Sequence, residues 1–251
     1  MTLDLFRSDA TLRECEATVQ SVGPRGIVLD RTVFYPLGGG QAGDSGVLQV
    51  LQGALAGQVL PIIDTRKGKD AEGRFTADIC HLPDPAQPVD LTGLQPGDRV
   101  RARLDWARRH RLMRLHSTTH LLCHLVPQLV NGCSITPEYA RLDFHMTDPL
   151  DREALTAGIA RLVAEAHPLT VGAVTDAELD ANPALVRSMS VQPPRGSGSV
   201  RTIRIGDAQV IDLQPCGGTH VANTAEIGAV VVTRIEKKSA STRRVVLGFA
   251  D

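Results

Sequence analysis

Two short runs in this sequence combine side chains that bind metal ions. His116 and His120 bound the run HSTTH, and Cys216 and His220 bound CGGTH. On a helix, a four-residue spacing puts both imidazoles on one face, about 6 Å apart along the axis, where they can converge on one ion. In CGGTH the paired glycines free the backbone to turn tightly, so that sulfur and imidazole point the same way. Cys and His in two separated, short-spaced pairs are the makings of a zinc site. Each His taken alone reads better as a satisfied polar residue; the two pairs together favour metal. HSTTH lacks the Glu of HExxH, and with it the general base of a zinc protease. His124 continues the series but lies about 12 Å from His116 along the axis, too far to share its ion. It reads as a bystander. Cys15, Cys80, Cys123 and Cys133 have no partner spacing and read as small apolar residues.

A second feature is the run Gly38-Gly39-Gly40-Gln41. Three consecutive glycines cost backbone entropy, so they mark either an extended turn or a place where backbone must approach a ligand closely. The tripeptide GGQ also occurs in release factors, which hydrolyse peptidyl-tRNA esters, but its β-rich, Pro-flanked surroundings here make that match coincidental. The third feature is local charge. Arg99, Arg101, Arg103, Arg108, Arg109, Arg111 and Arg114 face only Asp98 and Asp105 nearby. Lys237, Lys238, Arg243 and Arg244 form a second basic cluster. Each is either a solvated face or a track for nucleic-acid phosphates. Arg outnumbers Lys by 23 to 4 throughout, so composition alone also accounts for arginine here.

The elements that must position these groups follow from pattern. The chain has 251 residues, 42% of them hydrophobic, enough for two modest domains with buried cores. Short β-prone runs (17–22, 27–29, 47–51, 58–64 and 100–104) alternate with Gly, Pro and Asp clusters, which suggests a small N-terminal barrel. Residues 82–97 read as a loop. The character changes at Asp105-Trp106, where helical spacing begins and runs to about Val126, with Leu112, Leu115, Thr119, Leu122 and Val126 on one stripe. A second helix is expected over 149–166, capped by Asp148 with Pro149 in its first position. Strands are expected at 200–205, 209–213, 227–235 and 243–249, with Gly206-Asp207 as a hairpin turn. The expected fold class is α+β: a β-barrel domain at 1–104, then an α+β zinc-binding domain at 105–251. A net charge of -1 excludes nucleic-acid binding by bulk charge, though not by a local patch. No apolar run reaches the roughly 18 residues that span a bilayer. Five sparse cysteines argue against a disulfide framework or a disulfide-linked partner, and the expected location is cytoplasmic.

At this point the motifs resemble a known family. The segment DWARRHRLMRLHSTTHLL, the strand RLDF at 141–144, Gly206-Asp207 followed by CGGTHVANTAEIG, and Lys238 with Arg243-Arg244 are similar to freestanding alanyl-tRNA editing proteins of the AlaX type. They are also similar to the editing domain of alanyl-tRNA synthetase. FYPLGGGQAGDSG at 34–46 resembles the glycine-rich motif of the longer members, which carry an extra β-barrel domain. The resemblance implies Zn2+ held by His116, His120, Cys216 and His220. It also implies hydrolysis of mischarged tRNA(Ala), chiefly Ser-tRNA(Ala) and also Gly-tRNA(Ala), with Gly39, Gly40, Gln41 and Arg141 at the substrate.

Discrimination of serine from alanine must rest on hydrogen bonding to the serine hydroxyl, because a pocket that admits serine cannot exclude alanine by size. Of the hydroxyls after the zinc helix, Ser134 and Thr136, Thr136 is favoured, although both also suit a turn before Pro137. Four protein ligands describe a closed zinc site, whereas a catalytic zinc keeps a position open. No general base stands beside the ligands, so none is assigned. Two rival classes follow: a non-catalytic zinc-stabilised RNA-binding module, and a zinc hydrolase of a small molecule. The second needs a Glu near the ligands, for which Glu138 and Glu226 are the nearest by sequence.

Overall fold

A computed structural model describes residues 1–190, 192–193 and 198–250. The protein is mixed α/β and sheet-rich, with three α-helices among the described residues. It forms two compact units, Met1–Gly38 with Ala42–Arg109, and Gly39–Gln41 with His110–Asp251. The glycine-rich tripeptide therefore groups with the second unit although its flanks belong to the first.

The first unit contains β1 (Leu3–Asp4), β2 (Glu14–Gly23), β3 (Gly26–Leu29), β4 (Arg31–Thr32), β5 (Gly46–Val50), β6 (Val59–Lys69), β7 (Phe75–Pro83) and β8 (Arg99–Leu104). Six of them pair in a closed ring, β2-β3-β7-β6-β5-β8, because β8 is hydrogen-bonded to both β5 and β2. Period-two alternation fills the interior of the ring. Ala17 and Val19, Ile27 and Leu29, Leu48 and Val50, Leu60 and Ile62, and Val100, Ala102 and Leu104 make one core. On β8 the residues between them, Arg99, Arg101 and Arg103, point the other way. The expected loop at 82–97 is corrected at its start, since β7 runs through Pro83. The β7 sequence FTADICHLP mixes polar and apolar residues without the clean alternation that would reveal it.

His81 is fully buried in this unit, where its ring bonds Thr32 Oγ1 at 2.8 Å and the Ile27 carbonyl at 3.0 Å. Burial disfavours its charged form and lowers its pKa from 6.5 to about 4. The neutral ring therefore contributes stability that is complete above pH 6.5 and lost as pH falls toward 4. Linkage puts the full loss at about 3 kcal/mol. Urea unfolding of the wild type between pH 7 and pH 4.5 is expected to show this decline. His81→Gln should flatten that part of the profile, and an unchanged slope would remove His81 as its source.

The second unit takes most of α1 (Trp106–Leu125), then β9 (Val130–Ile135), β10 (Tyr139–His145), α2 (Arg152–Ala164), β11 (Leu169–Thr175), α3 (Asp176–Ala181), β12 (Ser199–Ile205), β13 (Asp212–Pro215), β14 (Val230–Ser239) and β15 (Thr242–Phe249). An antiparallel sheet runs β14-β15-β10-β9, and a smaller one runs β11-β12-β13. From Leu115 to Cys123 every residue of α1 is buried, so the helix has no solvated face there. Two hydroxyls in that stretch are satisfied locally: Thr118 donates to the Arg114 carbonyl at 2.8 Å and Thr119 to the His116 carbonyl at 2.7 Å.

Several expected boundaries are corrected here. The cap of α2 is Asp151, which accepts from the amides of Glu153 and Ala154, and not Asp148. The helix starts three residues after Pro149 and stops at Ala164. Ile205 pairs with Asp212, so Gly206-Asp207 lies in a longer connection and not in a two-residue turn. Thr224–Ile227 is a single 3-10 turn, capped by Asn223, before β14 begins at Val230.

Candidate metal centre

His116 and His120 project from the buried stretch of α1, while Cys216 and His220 lie on the loop that follows β13. The four donor atoms all lie within 4.8 Å of one another. Cys216 Sγ is 3.5 Å from His116 Nε2 and 3.3 Å from His220 Nε2. Three of the residues are buried and Cys216 is half-buried. His124 is not part of the group.

What orients the rings is a set of outer hydrogen bonds, one to the Nδ1 of each histidine. His116 Nδ1 lies 2.7 Å from Gln41 Oε1, His120 Nδ1 2.7 Å from Asp212 Oδ2, and His220 Nδ1 3.1 Å from Ser117 Oγ. With Nδ1 held in this way, Nε2 is the free donor of His116 and His220 toward the sulfur, the arrangement that metal-binding histidines use. Asp212 is itself held, accepting from Gln214 Nε2 at 2.9 Å. Burial lowers the pKa of His120, but the Asp212 and Cys216 hydrogen bonds outweigh it and raise the value to about 10. Burial and the neighbouring His116 push His220 the other way, to about 3. Burial raises the Cys216 thiol, yet His116 and His220 outweigh it and bring it well below its usual value. Without a metal the site thus holds a thiolate, a neutral His220 and a protonated His120, whose proton a bound metal would displace.

The role of the glycines differs from the expected one. Gly218 does not adopt a left-handed turn; it makes room. A Cβ there would lie 2.1 Å from His116 Cε1 and 3.0 Å from Gln41 Oε1. Gly39 and Gly40 do have positive φ, 57° and 86°. A Cβ on Gly40 would also lie 2.9 Å from Cys133 Sγ, so the segment passes tightly against β9, where the Gly40 carbonyl accepts from the Ile135 amide at 2.7 Å. Gln41 is fully buried. Its Oε1 accepts from the Thr219 amide at 3.1 Å besides meeting His116, and its Nε2 donates to Thr219 Oγ1 at 2.9 Å.

The other expected site residues have local partners. Thr136 Oγ1 donates to the Tyr139 carbonyl at 3.2 Å and accepts from the amides of Glu138 and Tyr139, as a turn residue does. Arg141 pairs with Asp143 at 2.8 Å, and Arg244 pairs with the same carboxylate at 2.7 Å. Glu226 accepts from the Ala222 and Asn223 amides in the cap of the 3-10 turn, and Glu138 is exposed. Burial pushes both Cys123 and Cys133 up to about 12, which keeps them as thiols. None of the five cysteines is in a disulfide. Sequence reasoning missed Asp212, Ser117 and Thr219. Asp212 left a trace, being a carboxylate inside the otherwise β-prone run QVIDL.

Residues 200–246 match the family described as "Threonyl and Alanyl tRNA synthetase second additional domain". The chain is also 31% identical to the "Alanyl-tRNA editing protein AlaX-M" of Methanosarcina acetivorans over the full length of both proteins. This chain belongs to the alanyl-tRNA editing protein family. A protein of the same name from Saccharolobus solfataricus is 30% identical over 98% of each chain. An "Alanine--tRNA ligase" from Metallosphaera sedula is 33% identical over 94% of this chain but only 25% of that enzyme. The editing family and a segment of the ligases thus share the whole stretch that carries the four candidate ligands. Among the described residues, no helix of this family member is long and apolar enough to cross a membrane.

Proposed function

We propose that this protein is a zinc-dependent aminoacyl-tRNA deacylase that hydrolyses the ester of mischarged tRNA(Ala), chiefly Ser-tRNA(Ala) and also Gly-tRNA(Ala), in trans in the cytoplasm. One observation carries the metal part: three histidines with their Nδ1 atoms engaged converge with a cysteine in a chain of the editing family. The donor set suits zinc. A tetrahedron with Zn–N of about 2.05 Å and Zn–S of about 2.3 Å has an N···S edge of about 3.6 Å. His220 Nε2 and His116 Nε2 lie 3.3 and 3.5 Å from Cys216 Sγ, near that edge. When bound, zinc polarises an ester carbonyl or lowers the pKa of a water. Asp212, Gln41 and Ser117 fix the rings. The closed ring of strands is read as a small β-barrel domain over 1–104, preceding the editing domain over 105–251.

Gly39, Gly40 and Arg141 are proposed to lie at the substrate, and Gln41 to act there through His116. Thr136 is proposed to read the serine hydroxyl. Its own hydroxyl already stabilises a turn, which makes Thr136→Val a sharp test. The expected result is a loss of the preference for Ser-tRNA(Ala) over Ala-tRNA(Ala), at unchanged metal content, for a stability cost of about 1 kcal/mol. A preserved preference would leave Thr136 with its turn alone.

The function as a whole is tested by measuring zinc content and single-turnover deacylation of Ser-, Gly- and Ala-tRNA(Ala) on one preparation. One zinc per chain with rapid loss of the seryl ester is expected. Stoichiometric zinc without ester turnover would favour a non-catalytic RNA-binding module. Turnover of small esters alone would favour a small-molecule hydrolase, though Glu226, a candidate base for that reading, is occupied in a cap.

A further inference from the structure

The arginine-rich run does not form a continuous basic track. Arg99 and Arg101 share Glu16, and Arg109 is buried against Asp44. Arg111 donates to the Pro137 carbonyl and Arg114 to the Ile227 carbonyl, each at 2.7 Å, and both guanidinium groups lie over the Phe249 ring. Arg103 and Arg108 remain. Within the first unit, both line an open cleft of about 540 Å³. Arg103 is exposed on the outward face of β8, opposite Glu14 on β2, and makes no ion pair among the described residues. Arg108 reaches the Gly43 carbonyl through Nη2 at 3.3 Å, but its Nε is buried with no hydrogen-bond partner. The guanidinium is therefore only partly satisfied within the protein, and the half-buried side chain lines the cleft.

The cleft also contains Asp84 and Asp105, and both have partners. Asp84 accepts from the Ala86 amide at 2.8 Å and from Gln87 Nε2 at 3.0 Å, while Asp105 accepts from the Arg108 amide at 3.1 Å. These bonds tie both carboxylates to their own turns, and Arg103 and Arg108 supply the guanidinium groups of the cleft. Between them the surface is apolar, formed by Val47, Pro61 and the exposed Ile63.

We propose that this cleft binds a phosphodiester of the RNA substrate backbone, with Arg103 and Arg108 donating to the phosphate oxygens and the sugar resting on Val47, Pro61 and Ile63. The inference rests on the reading of the chain as a tRNA deacylase. Guanidinium forks match phosphate geometry, and such contacts fix register without reading sequence. With a net charge of -1, attraction to RNA has to come from local cations, of which these two arginines are a pair.

The test is binding of uncharged tRNA(Ala) transcript by the full chain across a salt series. Arg103→Gln and Arg108→Gln are each expected to weaken binding about three- to fivefold. Each should also reduce the slope of log affinity against log salt by about one. Arg99→Gln, whose parent side chain is held by Glu16, is expected to leave both unchanged. Arg103→Gln lies on an exposed face, so it stays informative if Arg108→Gln folds poorly. Equal weakening by Arg99→Gln would mean diffuse charge and overturn the cleft. So would unchanged affinity in both cleft variants, while wild-type deacylation persisted and the functional reading stood. A wild type that neither binds the transcript nor deacylates would overturn both.

Discussion

Cys216→Ala is expected to strip the metal from the protein and take ester hydrolysis with it. Structural zinc in small peptide sites contributes roughly 10–16 kcal/mol, so an even quarter share is roughly 2.5–4 kcal/mol, or 10²- to 10³-fold in affinity. The thiolate here also supplies the negative charge around which the imidazoles gather, with His116 Nε2 and His220 Nε2 within 3.5 Å of the sulfur. Asp212→Asn should have a smaller effect of the same sign. It keeps an acceptor near His120 Nδ1 but removes the charge, and outer partners of this kind typically contribute 10- to 100-fold in metal affinity. Metal content after dialysis against a graded chelator series, measured beside single-turnover deacylation, reads both effects. Full zinc and full activity in Cys216→Ala would refute the ligand assignment. An effect of Asp212→Asn equal to that of Cys216→Ala would make the carboxylate a ligand and not a support.

The candidate ligands were legible in the sequence because local geometry places them in pairs. HSTTH needs only helical spacing, and CGGTH needs only a short loop. Their supports were not legible, because each comes from another part of the chain. Gln41 is 75 residues from His116, and Asp212 is 92 residues from His120. No local pattern announces such a pairing. The glycines show the same limit in another form. The paired glycines of CGGTH read as a tight turn, but only the fold shows that the His116 ring occupies the space of the missing Cβ of Gly218.

Regular alternation made the inward-facing strands of the first unit legible, with Val100, Ala102 and Leu104 the clearest case. Strands β7, β9 and β11 were not expected as such, since FTADICHLP, VNGCSI and LTVGAVT mix small, polar and apolar residues without a period. The cap of α2 was misplaced for a related reason. Asp148 and Asp151 are both plausible caps by type, and the bonds to the Glu153 and Ala154 amides decide for Asp151. The arginine run misled most. Seven cations in sixteen residues suggest a surface track, yet several are structural, and Arg109 is among the largest fully buried side chains in the protein.

Arg109→Met is therefore expected to destabilise the first unit by about 3–5 kcal/mol, the usual consequence of removing one member of a buried ion pair. The Arg109 guanidinium bonds Asp44 and donates to the carbonyls of Ala10 at 3.0 Å and Val33 at 2.7 Å. Asp44 in turn accepts from the Tyr35 amide at 2.6 Å, and its own amide donates back to the Tyr35 carbonyl at 3.0 Å. The pair thus clamps the base of the loop from Tyr35 to Asp44. Methionine fills much of the volume but leaves a carboxylate in a dry interior and removes the guanidinium donor from the buried Val33 carbonyl. Asp44→Asn in the same protein should recover part of the loss, because the amide is neutral and can still accept from Tyr35. Urea unfolding of the wild type, both single variants and the double variant yields the coupling between the two side chains. A loss below about 1 kcal/mol in Arg109→Met, within the range of exposed pairs, would mean that the guanidinium reaches water and is not the clamp described here.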